Sequence, residues 1–110
     1  MVIAAKGRFY AGGYVIAPGA DLGQPILDFV LLHHSGRRAV LRYLAALMLG
    51  RTSRCDGITI LRSREASISA ATAVPLQADG EIVGHLPARI GIAEEPLYLV
   101  QPPGRPALSC

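Results

Sequence analysis

A glycine separates two carboxylates in Asp79-Gly80-Glu81, and this tripeptide has residue types that suit proton transfer. Glycine readily takes the positive φ that a tight turn demands, so residues 77–81 predict a β-hairpin. A carboxylate whose direction is fixed by a turn can accept a proton from a hydroxyl group. From the tripeptide alone, an ordinary hairpin with two solvated acids is the better interpretation.

Positive charge is concentrated in the middle of the chain. Between His33 and Arg64 a single acid, Asp56, stands among seven arginines: Arg37, Arg38, Arg42, Arg51, Arg54, Arg62 and Arg64. Such a stretch can bind an anionic surface such as phospholipid, or it can be spread over solvated faces, which is the simpler interpretation. Because lysine and aromatic residues are scarce, we expect no nucleic-acid partner.

Other chemistries find little support. His33 and His34 are adjacent, so on a strand they point to opposite faces and cannot form a simple two-ligand metal site. Cys55 and Cys110 have neither the number nor the spacing of a disulfide framework or a zinc site, which favours a reducing compartment. No serine, histidine and acid form a recognisable nucleophile motif, so hydrolase chemistry is not supported.

The chain is long enough for one compact domain and no more. It has 110 residues, of which 51% are apolar and 17% charged, a composition that excludes a disordered chain and suggests a surface in need of a partner. The longest apolar stretch, residues 39–49, is well short of the roughly 20 residues that a membrane span requires. We therefore expect a cytoplasmic protein that is at most peripheral at the membrane.

The elements that must position these groups are mostly short strands. Strands are predicted at residues 2–5, 14–17 and 27–33, and then at 57–61, 66–70, 73–77, 81–85, 88–93 and 97–100. One largely buried helix is predicted at residues 37–49, with Ser35 as its cap and Gly50 as its stop. The predicted fold is mainly β, an antiparallel β-sandwich-like lobe with one helix over residues 1–101, followed by a flexible tail at 102–110.

Three groups of residues, in this order, resemble the C-terminal lobe of the bacterial diacylglycerol kinase and sphingosine kinase-like family. The first is the glycine-rich turn at residues 7–13, followed by Ile16-Ala17-Pro18-Gly19-Ala20. The second is residues 26–30, followed by the helix and Gly50. The third is residues 77–81 with Pro87, residues 97–100 and Pro102. Each group alone is a weak signal, but their order and spacing together are specific.

The resemblance implies a lobe that contributes acceptor binding and a general base to an ATP-dependent kinase of a diacylglycerol-like lipid. In the parent enzyme this lobe packs on an N-terminal nucleotide-binding lobe, uses ATP and magnesium, and meets its lipid at a membrane surface. This chain has no glycine-rich nucleotide loop, so we expect an incomplete lobe that is inactive alone, and a homodimer is one way to cover its strand edges. The alternative is a non-catalytic module for lipid or membrane-surface binding, or for oligomerisation.

The resemblance also implies roles for individual residues. Glu81 matches the general base, which shifts the preference from a solvated acid toward a catalytic one. The loop of residues 20–27 resembles a structural magnesium site, with backbone carbonyls at Asp21 and Ile26 and a side-chain ligand at Gln24. Because Gln24 stands where the family has an aspartate, and magnesium prefers anionic oxygen, we do not expect magnesium to bind this chain tightly. We do not expect tight binding of ATP either, since the sequence has no loop to hold its phosphates.

Overall fold

The computed structural model of the chain describes residues 1–10 and 13–98. The predicted tail at 102–110 lies outside these residues, as does the end of the strand predicted at 97–100, of which Leu97 and Tyr98 are not in a strand. The strands are β1 (Val2–Ala5), β2 (Phe9–Tyr10), β3 (Tyr14–Val15), β4 (Leu27–Leu32), β5 (Ile58–Ser63), β6 (Glu65–Ile68), β7 (Pro75–Ala78), β8 (Glu81–His85) and β9 (Ala88–Gly91). The helix α1 (Arg37–Met48) and a short 3-10 helix (Thr52–Arg54) lie between β4 and β5.

An antiparallel sheet in the order β1-β4-β5 forms the centre of the fold. Its middle strand β4 is rich in large apolar residues, and its first four residues are buried. The register pairs Ala5 of β1 with Asp28 of β4, and Asp28 in turn with Arg62 of β5. This register matters because it brings residues that are far apart in sequence to one edge of the sheet.

The remaining strands form three two-stranded antiparallel ribbons, β2 with β3, β6 with β9, and β7 with β8. The predicted fold, mainly β and antiparallel with one helix, is confirmed. The two-residue strand β2 was not predicted, because so short a run carries no measurable alternation of apolar and polar residues.

The predicted position of helix α1 is confirmed. The helix also ends as expected, since Gly50 has a φ of 63° just after the C-cap residue Leu49. Two details were wrong. The N-cap residue is Gly36, whose φ of 105° suits glycine, and no side chain caps the helix. The helix is also mostly exposed, because it packs on β3 and the 3-10 helix through a narrow stripe in which only Ala39 and Ala46 are buried.

The hydrophobic core lies on one side of the three-stranded sheet. It consists of Ala5, Ala17, Ala20 and Val30, with five half-buried residues packed against it, namely Ile3, Ile16, Leu32, Ile58 and Ile60. Among the described residues, every buried side chain precedes residue 64. The core therefore supports the first half of the chain and leaves the ribbons after β5 without one.

Candidate functional site

The predicted hairpin is present, and its turn fixes the start of β8. Asp79 and Gly80 have φ values of 51° and 90°, the two positive values that a type I′ turn between paired strands requires. Ala78 and Glu81 are the paired residues on either side of this turn. Glu81 is thus the first residue of β8, at the tip of a two-stranded ribbon.

Glu81 lies in the open. Its side chain is exposed, as are those of Asp79 and of the next two residues of β8, Ile82 and Val83. A general base needs the acceptor hydroxyl within hydrogen-bond reach and a surface that holds it there. The ribbon supplies the carboxylate, and a second surface is needed to hold the acceptor hydroxyl group within its reach. The role of Glu81 as a base stays a prediction.

The loop that resembles a magnesium site is occupied by a side chain from elsewhere in the sequence. Lys6 Nζ donates to the backbone carbonyl of Asp21 at 3.0 Å and also to the backbone carbonyl of Gln24. The Asp21 carboxylate closes a local turn, since its Oδ1 accepts a hydrogen bond from the Gly23 N–H at 2.8 Å. Ile26 donates its N–H to the Gln24 carbonyl at 2.8 Å.

The residues present do not fit magnesium in this loop. The ammonium group of Lys6 already lies against two of the carbonyl oxygens, and a divalent cation beside it would meet a like charge. Gln24 offers a neutral amide where an anionic oxygen is needed. Among residues 1–10 and 13–98, no group of three or more histidine, cysteine or acidic side chains could hold a metal ion.

An ion pair between a buried carboxylate and a half-exposed guanidinium group holds the other side of the same loop. Arg62 Nε donates to Asp28 Oδ1 at 2.9 Å, and Arg62 Nη2 donates to the backbone carbonyl of Gly19. Asp28 is 1% exposed and Arg62 is 45% exposed. This pair was not predicted from the sequence. A lone acid within the apolar run of β4 was the available signal, since buried carboxylates need a partner.

Lys6 was also missed. It is the single lysine of the sequence, and it follows directly after β1. The sequence alone does not give the register of β1 on β4, and it is that register which carries Lys6 to the loop preceding β4.

Helix α1 has an apolar face with no cover among the described residues. Leu41, Leu44 and Met48 follow one another at helical spacing and are all exposed. Arg37, Arg38 and Arg42 lie on the same helix and are exposed too, and the helix carries no acid. None of the helices in the described part of the chain is long and apolar enough to span a bilayer.

Residues 1–101 match the family described as the YegS C-terminal NAD kinase β-sandwich-like domain. A Bacillus subtilis (strain 168) protein named lipid kinase YtlR is 28% identical over 91 residues, which cover 83% of this chain and 29% of that protein. Proteins named diacylglycerol kinase in two strains of Mycobacterium tuberculosis, CDC 1551 / Oshkosh and ATCC 25618 / H37Rv, are 26% identical over 95 residues, which cover 86% of this chain and 30% of theirs. No solved structure matches the chain significantly.

The chain spans less than a third of the length of these relatives. The match extends over most of this chain, however, and it includes the glycine-rich turn, β4, α1 and the hairpin from which the resemblance was inferred. The antiparallel sheets and the single α-helix of the described residues are those of a β-sandwich-like domain. The chain therefore belongs to the family of YegS C-terminal NAD kinase β-sandwich-like domains.

Proposed function

We propose that this chain is the acceptor-binding lobe of an ATP-dependent lipid kinase and that Glu81 is its general base. The relatives named lipid kinase YtlR and diacylglycerol kinase support this reaction class. The observation that carries the proposal is the type I′ turn at Asp79-Gly80, which places an exposed carboxylate at the tip of the β7–β8 ribbon. A nucleotide-binding lobe packed against that tip completes the site.

In this mechanism Glu81 accepts the proton of the lipid hydroxyl as that oxygen attacks the terminal phosphorus of ATP, and the bond from this phosphorus to the bridging oxygen breaks to release ADP. ATP and magnesium, bound by the other lobe, supply the phosphoryl group and neutralise its charge. The contribution of this chain is positional, because both turn residues hold the positive φ values that fix the start of β8. A fixed carboxylate loses less entropy on reaching the reactive geometry than a mobile one.

A chimera tests the role of Glu81. In the Mycobacterium tuberculosis diacylglycerol kinase, this chain replaces the matching 95-residue segment. Glu81→Gln keeps the size of the side chain and one of its two oxygen atoms but removes the base, so phosphorylation of diacylglycerol should fall by about 10²–10⁴-fold in kcat. The matched control is Asp79→Asn, which removes one carboxylate from the same turn and tolerates the positive φ. It should lower kcat by less than about tenfold.

Equal losses in the two variants would mean that the turn matters only for folding or charge. An inactive unsubstituted chimera would count against this chain as a catalytic lobe. The 110-residue chain alone should have no kinase activity, because nothing in its sequence resembles a loop that cradles ATP phosphates.

The exposed face of α1 favours a second function, binding to an anionic membrane surface. An interfacial helix inserts an apolar face and places basic side chains at the headgroups, and α1 combines Leu41, Leu44 and Met48 with three arginines. This function requires no nucleotide lobe, and it places the protein at the periphery of a membrane. It is also compatible with the kinase, whose lipid acceptor lies in a bilayer.

Vesicle co-sedimentation tests the surface of α1. The chain should bind vesicles containing phosphatidylglycerol, and added salt should weaken this binding. Arg37→Gln with Arg38→Gln should reduce partitioning by about tenfold or more, since each arginine near the surface contributes roughly 1 kcal/mol. Arg89→Gln, a basic residue of β9, is the control and should change it little. Binding that ignores lipid charge and salt would remove this function.

A further inference from the structure

The loop between β3 and β4 is closed by an ammonium group. Lys6 Nζ lies 3.0 Å from the carbonyl oxygen of Asp21 and also contacts the carbonyl oxygen of Gln24. Both carbonyls belong to the segment that leads into β4. They hold the ammonium group without a side-chain carboxylate. Charge-assisted hydrogen bonds of this kind are about twice as strong as neutral ones.

We propose that Lys6 is the built-in cation of this loop and that its ammonium group does the work of a structural metal ion. The loop is therefore independent of divalent cations. This inference does not rest on the kinase function proposed above, because it concerns how the loop is held and not what the domain does.

The strand register explains how Lys6 reaches the loop. Ala5 of β1 pairs with Asp28 of β4, so Lys6 is the first residue beyond the end of that pairing. The loop arrives at β4 from the same edge. The side chain of Lys6 is half-buried, so its aliphatic part lies in the protein while the ammonium group reaches the carbonyls. The strand register thus fixes the positions of both Lys6 and the loop carbonyls, without any bound ion.

The side chains of the loop point to the same conclusion. The Asp21 carboxylate is engaged by the Gly23 N–H at 2.8 Å, so it closes its own turn. Gln24 supplies a neutral amide, and Pro25 has no N–H to donate. A magnesium ion prefers near-octahedral anionic or water oxygens, whereas an ammonium group is satisfied by carbonyl oxygens alone.

Two basic side chains hold this segment, one at each side. Arg62 binds the carbonyl of Gly19 and the carboxylate of Asp28, and Lys6 binds the carbonyls of Asp21 and Gln24. The loop thus has cationic partners along its length that come from β5 and from the end of β1. A metal ion is not required to neutralise its carbonyl dipoles.

Thermal unfolding of the 110-residue chain, followed by circular dichroism, tests the proposal. The midpoint of the unsubstituted chain should agree within about 1 °C between EDTA and millimolar magnesium at equal ionic strength. Lys6→Met keeps the length of the side chain but removes the ammonium group, so it should lower the midpoint by about 5–10 °C. Arg54→Met is the control, because it removes the same charge from an exposed side chain. It should lower the midpoint by less than about 2 °C.

A midpoint that rises with magnesium in the unsubstituted chain would overturn the proposal, as would equal effects of the two substitutions. Should Lys6→Met fail to fold, the unsubstituted chain still decides the matter. Because Lys6 is the single lysine, fragment-ion mass spectrometry of the N-terminal peptide follows its acetylation separately from that of the Met1 amino group. Acetylation should be at least about tenfold slower in the folded chain than in urea, and magnesium should leave the rate unchanged. Equal rates, or a rate that rises with magnesium, would refute the role of Lys6.

Discussion

Two parts of this domain differ in how they are held together. In the N-terminal part, residues 1–63, ten side chains of the described residues are buried, including Val30, Asp28 and Thr52. In the C-terminal part, residues 64–98, none is buried, and the strands form two ribbons. Half-buried and exposed positions alternate in β6 and β9, whereas β7 and β8 are mostly exposed. The alternation in β6 and β9 is typical of antiparallel strands that pack one face against another surface and expose the other face to water.

The difference indicates where this domain needs another surface. A two-stranded ribbon is marginally stable in water, and a third strand or a packed face is the usual remedy. The candidate base Glu81 lies in the C-terminal part, so the surface that stabilises the ribbon can also complete the site. We propose a nucleotide-binding lobe as that surface, with a second copy of the chain as the other way to cover open strand edges.

The two ion pairs give the largest expected contrast between the parts. Arg62→Met removes the partner of Asp28, which is 1% exposed, and leaves a carboxylate uncompensated in the interior. We expect a loss of about 2–3 kcal/mol in the free energy of unfolding, below the full cost of a buried pair because Arg62 is half in solvent. Arg89→Met breaks the exposed pair with Glu65 and should cost less than about 0.5 kcal/mol.

Urea unfolding followed by circular dichroism measures both variants. Equal losses would show that the Arg62–Asp28 pair is no better protected from water than the Arg89–Glu65 pair, and the contrast between the two parts would then be wrong. A reciprocal substitution, Asp28→Asn, removes the charge from the other partner. It should lower the free energy of unfolding by an amount similar to that of Arg62→Met.

A pair of identical substitutions sharpens the contrast in packing. Val30, in the middle of β4, is 1% exposed, while Val83, in the middle of β8, is 60% exposed. Val30→Ala leaves a cavity in the core and should cost about 2 kcal/mol. Val83→Ala should cost less than about 0.5 kcal/mol in the isolated chain.

The same two variants should behave differently once the nucleotide lobe is present. If that lobe covers β8, Val83→Ala in the chimera should become costly, whereas the cost of Val30→Ala should not change. Thermal unfolding of the chimera provides the measurement. A Val83→Ala variant that stays neutral there would place the contact with the other lobe on another surface.

Local signals in the sequence predicted the strands, the helix and the turns well. They did not predict contacts between residues that are far apart in the sequence. β1 at Val2–Ala5, the turn at Asp79-Gly80 and the stop at Gly50 each depend on the preferences of a few neighbouring residues. Arg62 and Asp28 are 34 residues apart, and Lys6 is 15 residues from Asp21. Those contacts depend on strand register, which one sequence does not specify where strands are short.

The candidate site shows the same limit. The hairpin that carries Glu81 followed from residue types, but the function of its carboxylate came from a resemblance and depends on a surface outside this chain. The apolar face of α1 was wrongly predicted to be buried, because the composition of a helix does not reveal which neighbours exist to cover it.

A substitution in the turn of the β7–β8 hairpin should have the smallest effect on stability, and it tests whether the two parts unfold together. Gly80 has a φ of 90°, so Gly80→Ala should strain the turn by about 1 kcal/mol, while its added methyl group meets open space. If the C-terminal part opens independently of the sheet, this cost should appear as faster hydrogen exchange in β7 and β8, with β4 unchanged. Equal acceleration in β4 would mean that the ribbon and the sheet unfold as one unit, and the ribbon would then derive its stability from the core despite lying outside it.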